Sequence, residues 1–203
     1  LDHKPYQKML NVLDKLIKKI KFNFEYIDLG GGMGIDYNKN NKKFNYKKYN
    51  QIIKKFLTKH NAKIIFEPGR SIVGDTAVLI SKIIYIKENS KKDFIILDAA
   101  MNDFMRPALY DAKHKIIPLK KTNKIIKKNF DFVGPICETT DKFLTTNKFQ
   151  KLNEKDHIII CDVGAYGSSL SSNYNIRPKP TEILIRGSKI KVIKKRQKLE
   201  DII

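Results

Sequence analysis

The chain has 203 residues, of which 41% are hydrophobic, so it can bury a substantial core in one or two domains. Its formal net charge is +20, but the lysines are spread along almost every segment and form no basic stripe with interleaved aromatic residues. We therefore expect no nucleic-acid partner, and no run of about 18 apolar residues predicts a membrane span. The two cysteines and four scattered histidines predict neither a disulfide framework nor a metal site, and we expect a cytoplasmic protein.

The first part of the chain alternates helical and strand patterns. Apolar residues at three- and four-residue spacing predict helices over residues 4–20 and 46–59, and short apolar runs predict strands over 24–29 and 63–66. This order is typical of a β/α barrel or a doubly wound sheet, in which reactive residues follow the C-terminal ends of strands. Because Leu1 leads directly into the first helix, we expect the chain to be part of a longer protein.

After about residue 72 the pattern changes to successive strands with no long helix. Strands are predicted over residues 78–86, 94–97, 115–119, 125–133 and 158–162, and a hairpin over 183–186 and 189–193 around Gly187-Ser188. The fold class is therefore α/β plus all-β, with one domain over residues 1–72 and a β-domain over residues 73–203.

Two loops that follow the first two strands contain candidate binding residues. Gly30, Gly31 and Gly32 would let backbone N–H groups approach an anion, although a tight turn without a ligand explains them equally well. The second strand ends at Glu67-Pro68-Gly69-Arg70, which a barrel would place at the same rim. The Glu67 carboxylate could keep a pyridine nitrogen protonated, or it could simply pair with Arg70.

Three segments of the second domain contain further candidates. Cys137 and Glu138 follow an apolar strand, and the thiol could deliver a proton or be a small buried apolar residue. Arg106 and Tyr110 lie four residues apart and could grip a carboxylate, whereas a surface ion pair would also explain Arg106. The ring of Tyr166 could cover a flat ligand or belong to the core.

Five segments, in this order, closely resemble the diaminopimelate decarboxylase family, within the alanine-racemase-like group of pyridoxal-phosphate enzymes. They are IDLGGGMGI (27–35), EPGRSIV (67–73), DAAMNDFMRPALY (98–110), VGPICET (133–139) and GAYGSSLSSNYNIRP (164–178). The resemblance covers nearly the whole chain and implies a (β/α)8 barrel followed by a C-terminal β-domain. Residues 1–72 would supply only the last two barrel strands. The family's cofactor-binding lysine lies near the start of the barrel, so we expect these 203 residues to be inactive alone.

The resemblance also implies a role for each candidate residue. Contacts with the cofactor, pyridoxal 5'-phosphate, are implied for Gly30, Gly31, Gly32, Glu67, Gly69, Arg70 and Tyr166. Contacts with the substrate are implied for Arg70, Arg106, Tyr110, Glu138 and Tyr166. Among these, Glu67 would face the pyridinium nitrogen and Glu138 the distal ammonium group of the substrate. Cys137 resembles the catalytic proton donor, which acts across the interface of a homodimer that shares its active sites.

The reaction implied by the resemblance is the decarboxylation of meso-2,6-diaminopimelate to L-lysine, the last step of lysine biosynthesis. One alternative is a decarboxylase of the same group that acts on ornithine, arginine or carboxynorspermidine. The Cys137-Glu138 pair and the segment from Arg106 to Tyr110 favour diaminopimelate. Two further alternatives are a non-catalytic paralogue that has lost the cofactor and a nucleic-acid-binding protein driven by the charge.

Overall fold

The computed structural model describes residues 1–203 and divides them into two units, Leu1–Asp75 and Thr76–Ile203. The first unit contains the helices α1 (Lys4–Ile20), α2 (Tyr46–Leu57) and α3 (Gly69–Val73) and the strands β1 (Tyr26–Asp28) and β2 (Lys63–Ile65). The two strands pair in parallel and form a sheet of their own, so α2 is the crossover between them. None of the helices is both long enough and apolar enough to cross a membrane.

The core of the first unit is formed by the apolar faces of its two long helices, α1 and α2, and by β1. Leu10 of α1, Ile27 of β1, and Ile53 and Phe56 of α2 are all buried in one cluster. These positions follow the three- and four-residue spacing seen in the sequence, and they confirm both predicted long helices. The carboxyl ends of β1 and β2 lead into the glycine turn and into α3, so this core positions both loops.

The second unit is built mainly from strands. Its elements are β3 (Leu79–Lys87), β4 (Lys92–Leu97), the short helix α4 (Arg106–Tyr110), β5 (Ile116–Pro118), β6 (Ile125–Ile126), β7 (Asn129–Val133), β8 (Lys142–Thr146), β9 (Phe149–Gln150), β10 (His157–Ile160), β11 (Glu182–Arg186) and β12 (Lys189–Lys194). Six strands form one mixed sheet in the order β5-β10-β3-β4-β7-β8, in which only β4 and β7 pair in parallel. Two small antiparallel pairs, β6 with β9 and β11 with β12, complete the unit.

The core of the second unit lies against the six-stranded sheet. Alternate residues of its strands are completely buried, among them Ile83, Leu97, Phe132 and Ile158. Phe104, just before α4, joins the same cluster and anchors the loop that leads into this helix. Pro107 in the first turn of α4 is compatible with a helix start, because proline lacks the N–H group that would be unsatisfied there.

Three features of the second unit differ from the predicted strands. Residues 125–133 do not form one strand, because β6 pairs with β9 whereas β7 pairs with β4 and β8. The strands β8 and β9 were not predicted from the sequence. The five-residue helix α4 was also missed, as was α3 in the first unit, because one turn and a half gives almost no periodic signal.

Candidate active site

The three glycines after β1 form a tight turn that other residues would disturb. Gly30 and Gly32 have φ angles of +64° and +81°, which residues with a Cβ atom rarely adopt. At Gly31 a Cβ atom would overlap the carbonyl oxygen of Glu67. Neither the Gly31 N–H group nor the Gly32 N–H group donates a hydrogen bond within the protein, so both can face an anion. The turn therefore leaves two backbone N–H groups available to bind an anion.

The segment after β2 is fixed against this turn by hydrogen bonds. The N–H group of Glu67 donates to the carbonyl oxygen of Gly30 at 2.8 Å. Arg70, at the start of α3, donates through its guanidinium group to the carbonyl oxygen of Gly32 at 2.9 Å. The Glu67 side chain is exposed. The structure therefore places Glu67 and Arg70 at the glycine turn, and it uses Arg70 to hold the turn rather than to pair with Glu67.

The guanidinium group of Arg106 is buried in the second unit, with a relative exposure of only 6% for the residue. Its Cζ atom lies 5.8 Å from the ring centre of Tyr166, within the range of a cation–π contact. Tyr166 has a positive φ of +68°, and its side chain is about half exposed. Tyr110, at the other end of α4, is exposed. Arg106 is therefore not a surface ion-pair residue, and the structure brings it next to Tyr166.

His114 belongs to the same cluster, although sequence reasoning assigned it no role. Its Nε2 atom lies 3.2 Å from Nη1 of Arg106, and its Nδ1 atom lies 2.9 Å from the carbonyl oxygen of Cys161. Burial lowers the pKa of His114, and the positive charge of Arg106 lowers it further. The ring is therefore neutral near pH 7. No local motif marks this histidine, because its partner Cys161 is 47 residues away in the sequence.

Cys137 and Glu138 lie on the loop between β7 and β8, and both are exposed. Cys137 is a free thiol on the surface and is not a small core residue. The Glu138 carboxylate accepts a hydrogen bond of 2.5 Å from the hydroxyl group of Tyr174. This bond raises the pKa of Tyr174 above its ordinary value, because the neighbouring carboxylate disfavours the phenolate.

A buried carboxylate, Asp141, fixes the backbone of this loop. Its two side-chain oxygens accept hydrogen bonds from the N–H groups of Ile136, at 2.8 Å, and Met101, at 2.7 Å. Gly134 lies so close to the Asp141 carboxylate that a Cβ atom there would overlap it. Burial raises the pKa of Asp141, and the two backbone hydrogen bonds oppose this effect. Asp141 thus connects the loop of Cys137 to the segment that precedes α4, and sequence reasoning missed it.

The candidate residues therefore form one group in the first unit and two groups in the second. The first contains the glycine turn, Glu67 and Arg70. The others are Arg106 with Tyr166 and His114, and the loop of Cys137 and Glu138. Tyr110 is exposed at the end of α4. No group of three or more His, Cys, Asp or Glu side chains is arranged to hold a metal ion.

The first unit thus has a glycine turn beside an exposed carboxylate, and the second unit has a mixed sheet with a buried arginine and an exposed thiol on one of its loops. Residues 12–164 match the family model described as pyridoxal-dependent decarboxylase, C-terminal sheet domain. The chain therefore belongs to the pyridoxal-dependent decarboxylase family. The family resemblance inferred from the five segments is confirmed, and so is the sheet domain that it implies.

Several relatives are similar along the whole chain. Diaminopimelate decarboxylase of Aquifex aeolicus is 37% identical over an alignment of 209 positions, which covers 100% of this chain and 49% of the relative. The Helicobacter pylori enzyme solved in complex with L-lysine is 41% identical with a TM-score of 0.83, covering 100% of this chain and 50% of that one. The M. jannaschii enzyme in complex with L-lysine is 33% identical with a TM-score of 0.86, covering 99% and 48%. The chain spans about half the length of these relatives.

Proposed function

We propose that this chain is the C-terminal half of a diaminopimelate decarboxylase, which converts meso-2,6-diaminopimelate to L-lysine and carbon dioxide. The observation that carries the proposal is the exposed pair of Cys137 and Glu138 on a loop that the buried Asp141 fixes. A thiol can return a proton to carbon, and a carboxylate beside it can bind an ammonium group. The relatives of this name support the same substrate.

The first unit fits the cofactor of this family, pyridoxal 5'-phosphate. The N–H groups of Gly31 and Gly32 can receive its phosphate, and an open cavity beside them is lined by Tyr6, Met9 and Phe44. The Gly69 N–H group already donates to the Glu67 carbonyl oxygen at 2.8 Å. The N–H groups of Gly31 and Gly32 are therefore better placed than that of Gly69 to bind the phosphate. When bound, the cofactor supplies the electron sink that loss of carbon dioxide requires.

The side chains around the cofactor would have distinct tasks. The exposed Glu67 carboxylate would keep the ring nitrogen of the cofactor protonated, and Tyr166 would be a further cofactor contact. Gly30 and Gly69 would complete the phosphate site through their backbone, since neither has a side chain. Arg70 would contribute only part of its guanidinium group, because the Gly32 carbonyl oxygen already accepts one of its hydrogen bonds.

On the substrate, Arg106 would grip the carboxylate that is retained, because a guanidinium group can donate two parallel hydrogen bonds to it. Arg70, Tyr110 and Tyr166 are proposed as further contacts with the substrate. Glu138 would accept the distal ammonium group and thereby favour diaminopimelate over amino acids with a different far end. Cys137 would donate a proton to the carbon that loses carbon dioxide, as the catalytic acid.

The assembly that we propose is a homodimer with shared active sites, in which Cys137 acts on the cofactor of the partner subunit. Residues 1–72 would form the last two strands of a (β/α)8 barrel. The support for this is the parallel pair of β1 and β2, whose outer edges have no strand partner. A cytoplasmic location would suit an enzyme of lysine biosynthesis whose two cysteines form no disulfide.

The test compares this chain alone with an extended form, in which the N-terminal half of the Helicobacter pylori relative precedes it. We expect an absorbance band of bound pyridoxal phosphate, and release of carbon dioxide from meso-diaminopimelate, in the extended form only. Glu67→Gln in the extended form should keep the fold and lose turnover. A folded extended form that binds the cofactor but prefers ornithine or arginine would replace the proposed substrate, and one that binds no cofactor would indicate a non-catalytic relative.

A further inference from the structure

The imidazole ring of His114 is held rigidly between the sheet and α4. Its Nδ1 atom lies 2.9 Å from the carbonyl oxygen of Cys161, and the Cys161 N–H group donates to the carbonyl oxygen of Lys115 at 2.9 Å. The ring of Phe104 packs edge-on against it, with 4.6 Å between the ring centres. The ring is therefore fixed by one polar and one aromatic neighbour, and its second nitrogen points at Arg106.

The chemistry of arginine determines the tautomer of His114. A guanidinium group has only N–H donors, so the Nε2 atom that lies 3.2 Å from Arg106 must accept the hydrogen bond. The remaining proton is then on Nδ1, which donates to the Cys161 carbonyl oxygen. A doubly protonated ring would place a second donor and a second positive charge against Arg106. The observed contact therefore requires the neutral ring.

The guanidinium group of Arg106 is held from two directions. His114 accepts from its edge, and the ring of Tyr166 lies 5.8 Å from its central carbon. The charged groups that act on His114 are Arg106 itself and Asp162, which opposes the effect of Arg106. A long side chain that is fixed in this way loses little conformational freedom when it binds a carboxylate.

We propose that neutral His114 is a positioning residue, which holds the Arg106 guanidinium group in the orientation that grips the substrate carboxylate. Protonation of His114 in acid removes the acceptor and releases the guanidinium group, so binding of the substrate weakens as the pH falls. The inference rests on the proposed substrate contact of Arg106. It adds a residue to that site and makes the affinity of the site depend on a buried histidine.

The first experiment measures kcat and KM for meso-diaminopimelate against pH in the extended form with pyridoxal phosphate. His114→Leu should raise KM about tenfold with kcat within about twofold, the size expected for loss of one hydrogen bond to a charged group. His114→Gln can donate and accept like the neutral ring but cannot titrate. It should restore the KM of the unchanged protein and remove the rise of KM in acid. His157→Gln, at an exposed histidine of β10, is the matched control and should change nothing.

A His114→Gln protein that keeps the rise of KM in acid would overturn the proposal, and so would an unchanged KM in His114→Leu. The second measurement is the nitrogen NMR spectrum of the imidazole rings in the extended form without substrate, with His114→Gln used for assignment. We expect His114 to carry its proton on Nδ1 and its Nε2 resonance to shift in Arg106→Ala. A proton on Nε2 would refute the tautomer. Absence of turnover with the expected spectrum would refute the proposed function instead.

Discussion

Replacement of Gly31 by alanine tests the glycine turn, because the new Cβ atom would lie 2.1 Å from the carbonyl oxygen of Glu67. Real Cβ atoms do not approach other atoms closer than 3.0 Å, so this oxygen must move by about 1 Å. The displaced carbonyl oxygen of Glu67 accepts a hydrogen bond from the Gly69 N–H group at 2.8 Å. The Glu67 N–H group donates to the carbonyl oxygen of Gly30, also at 2.8 Å. Loss of these two hydrogen bonds costs about 1 kcal/mol each, and the remaining overlap adds about 1 kcal/mol. We expect a destabilisation of about 3 kcal/mol.

The assay is urea denaturation of the chain followed by circular dichroism, together with the affinity of the extended form for pyridoxal phosphate. Gly69→Ala is the matched control, because a Cβ atom there meets nothing within 4 Å and the residue begins α3. It should change the free energy of unfolding by less than about 0.5 kcal/mol. If Gly31→Ala unfolded like Gly69→Ala and bound the cofactor as well as the unchanged extended form does, the close approach of the two loops would be refuted.

Three further predictions concern the second unit. Cys137→Ala in the extended form should bind pyridoxal phosphate normally but slow or misdirect product formation, and unchanged turnover with unchanged product would remove Cys137 from the mechanism. Glu138→Gln should lower the pKa of Tyr174 toward its ordinary value, because the Glu138 carboxylate raises it. The Tyr174 phenol should then ionise at lower pH in an ultraviolet titration. The same substitution should weaken binding of diaminopimelate. Asp141→Ala should lower the free energy of unfolding by about 2 to 4 kcal/mol in urea denaturation, because two backbone N–H groups lose their acceptor. Asp111→Ala, at an exposed aspartate, is the control and should lower it by less than about 1 kcal/mol.

The elements that could be predicted from the sequence are those whose signal is local. Helix α1 has the predicted bounds because its apolar residues recur on one face over four turns. The hairpin of β11 and β12 was recognised from Gly187, whose φ of +60° suits a tight turn. The division of residues 125–133 between β6 and β7 could not be predicted, because it depends on which distant strands pair with each half.

The same distinction applies to the candidate site. Arg106, Cys137 and Glu138 stand in recognisable segments, so their residue types and order were sufficient to single them out. His114 and Asp141 each have one hydrogen-bond partner far along the chain, 47 and 40 positions away, and neither belongs to a local motif. Only the tertiary fold brings each buried group to its distant partner. The side chains that would touch ligands were therefore visible in the sequence, whereas those that hold them in place were not.

The two arginines show why this difference matters for function. The family resemblance assigns both Arg70 and Arg106 to the substrate carboxylate. The structure gives them different surroundings, since Arg70 donates to the carbonyl oxygens of Gly32 and Met33 and so builds the turn. Arg106 is held by the imidazole of His114 and the ring of Tyr166, neither of which belongs to the turn. Changes at Arg70 should therefore disturb the glycine turn, whereas changes at Arg106 should leave the turn intact.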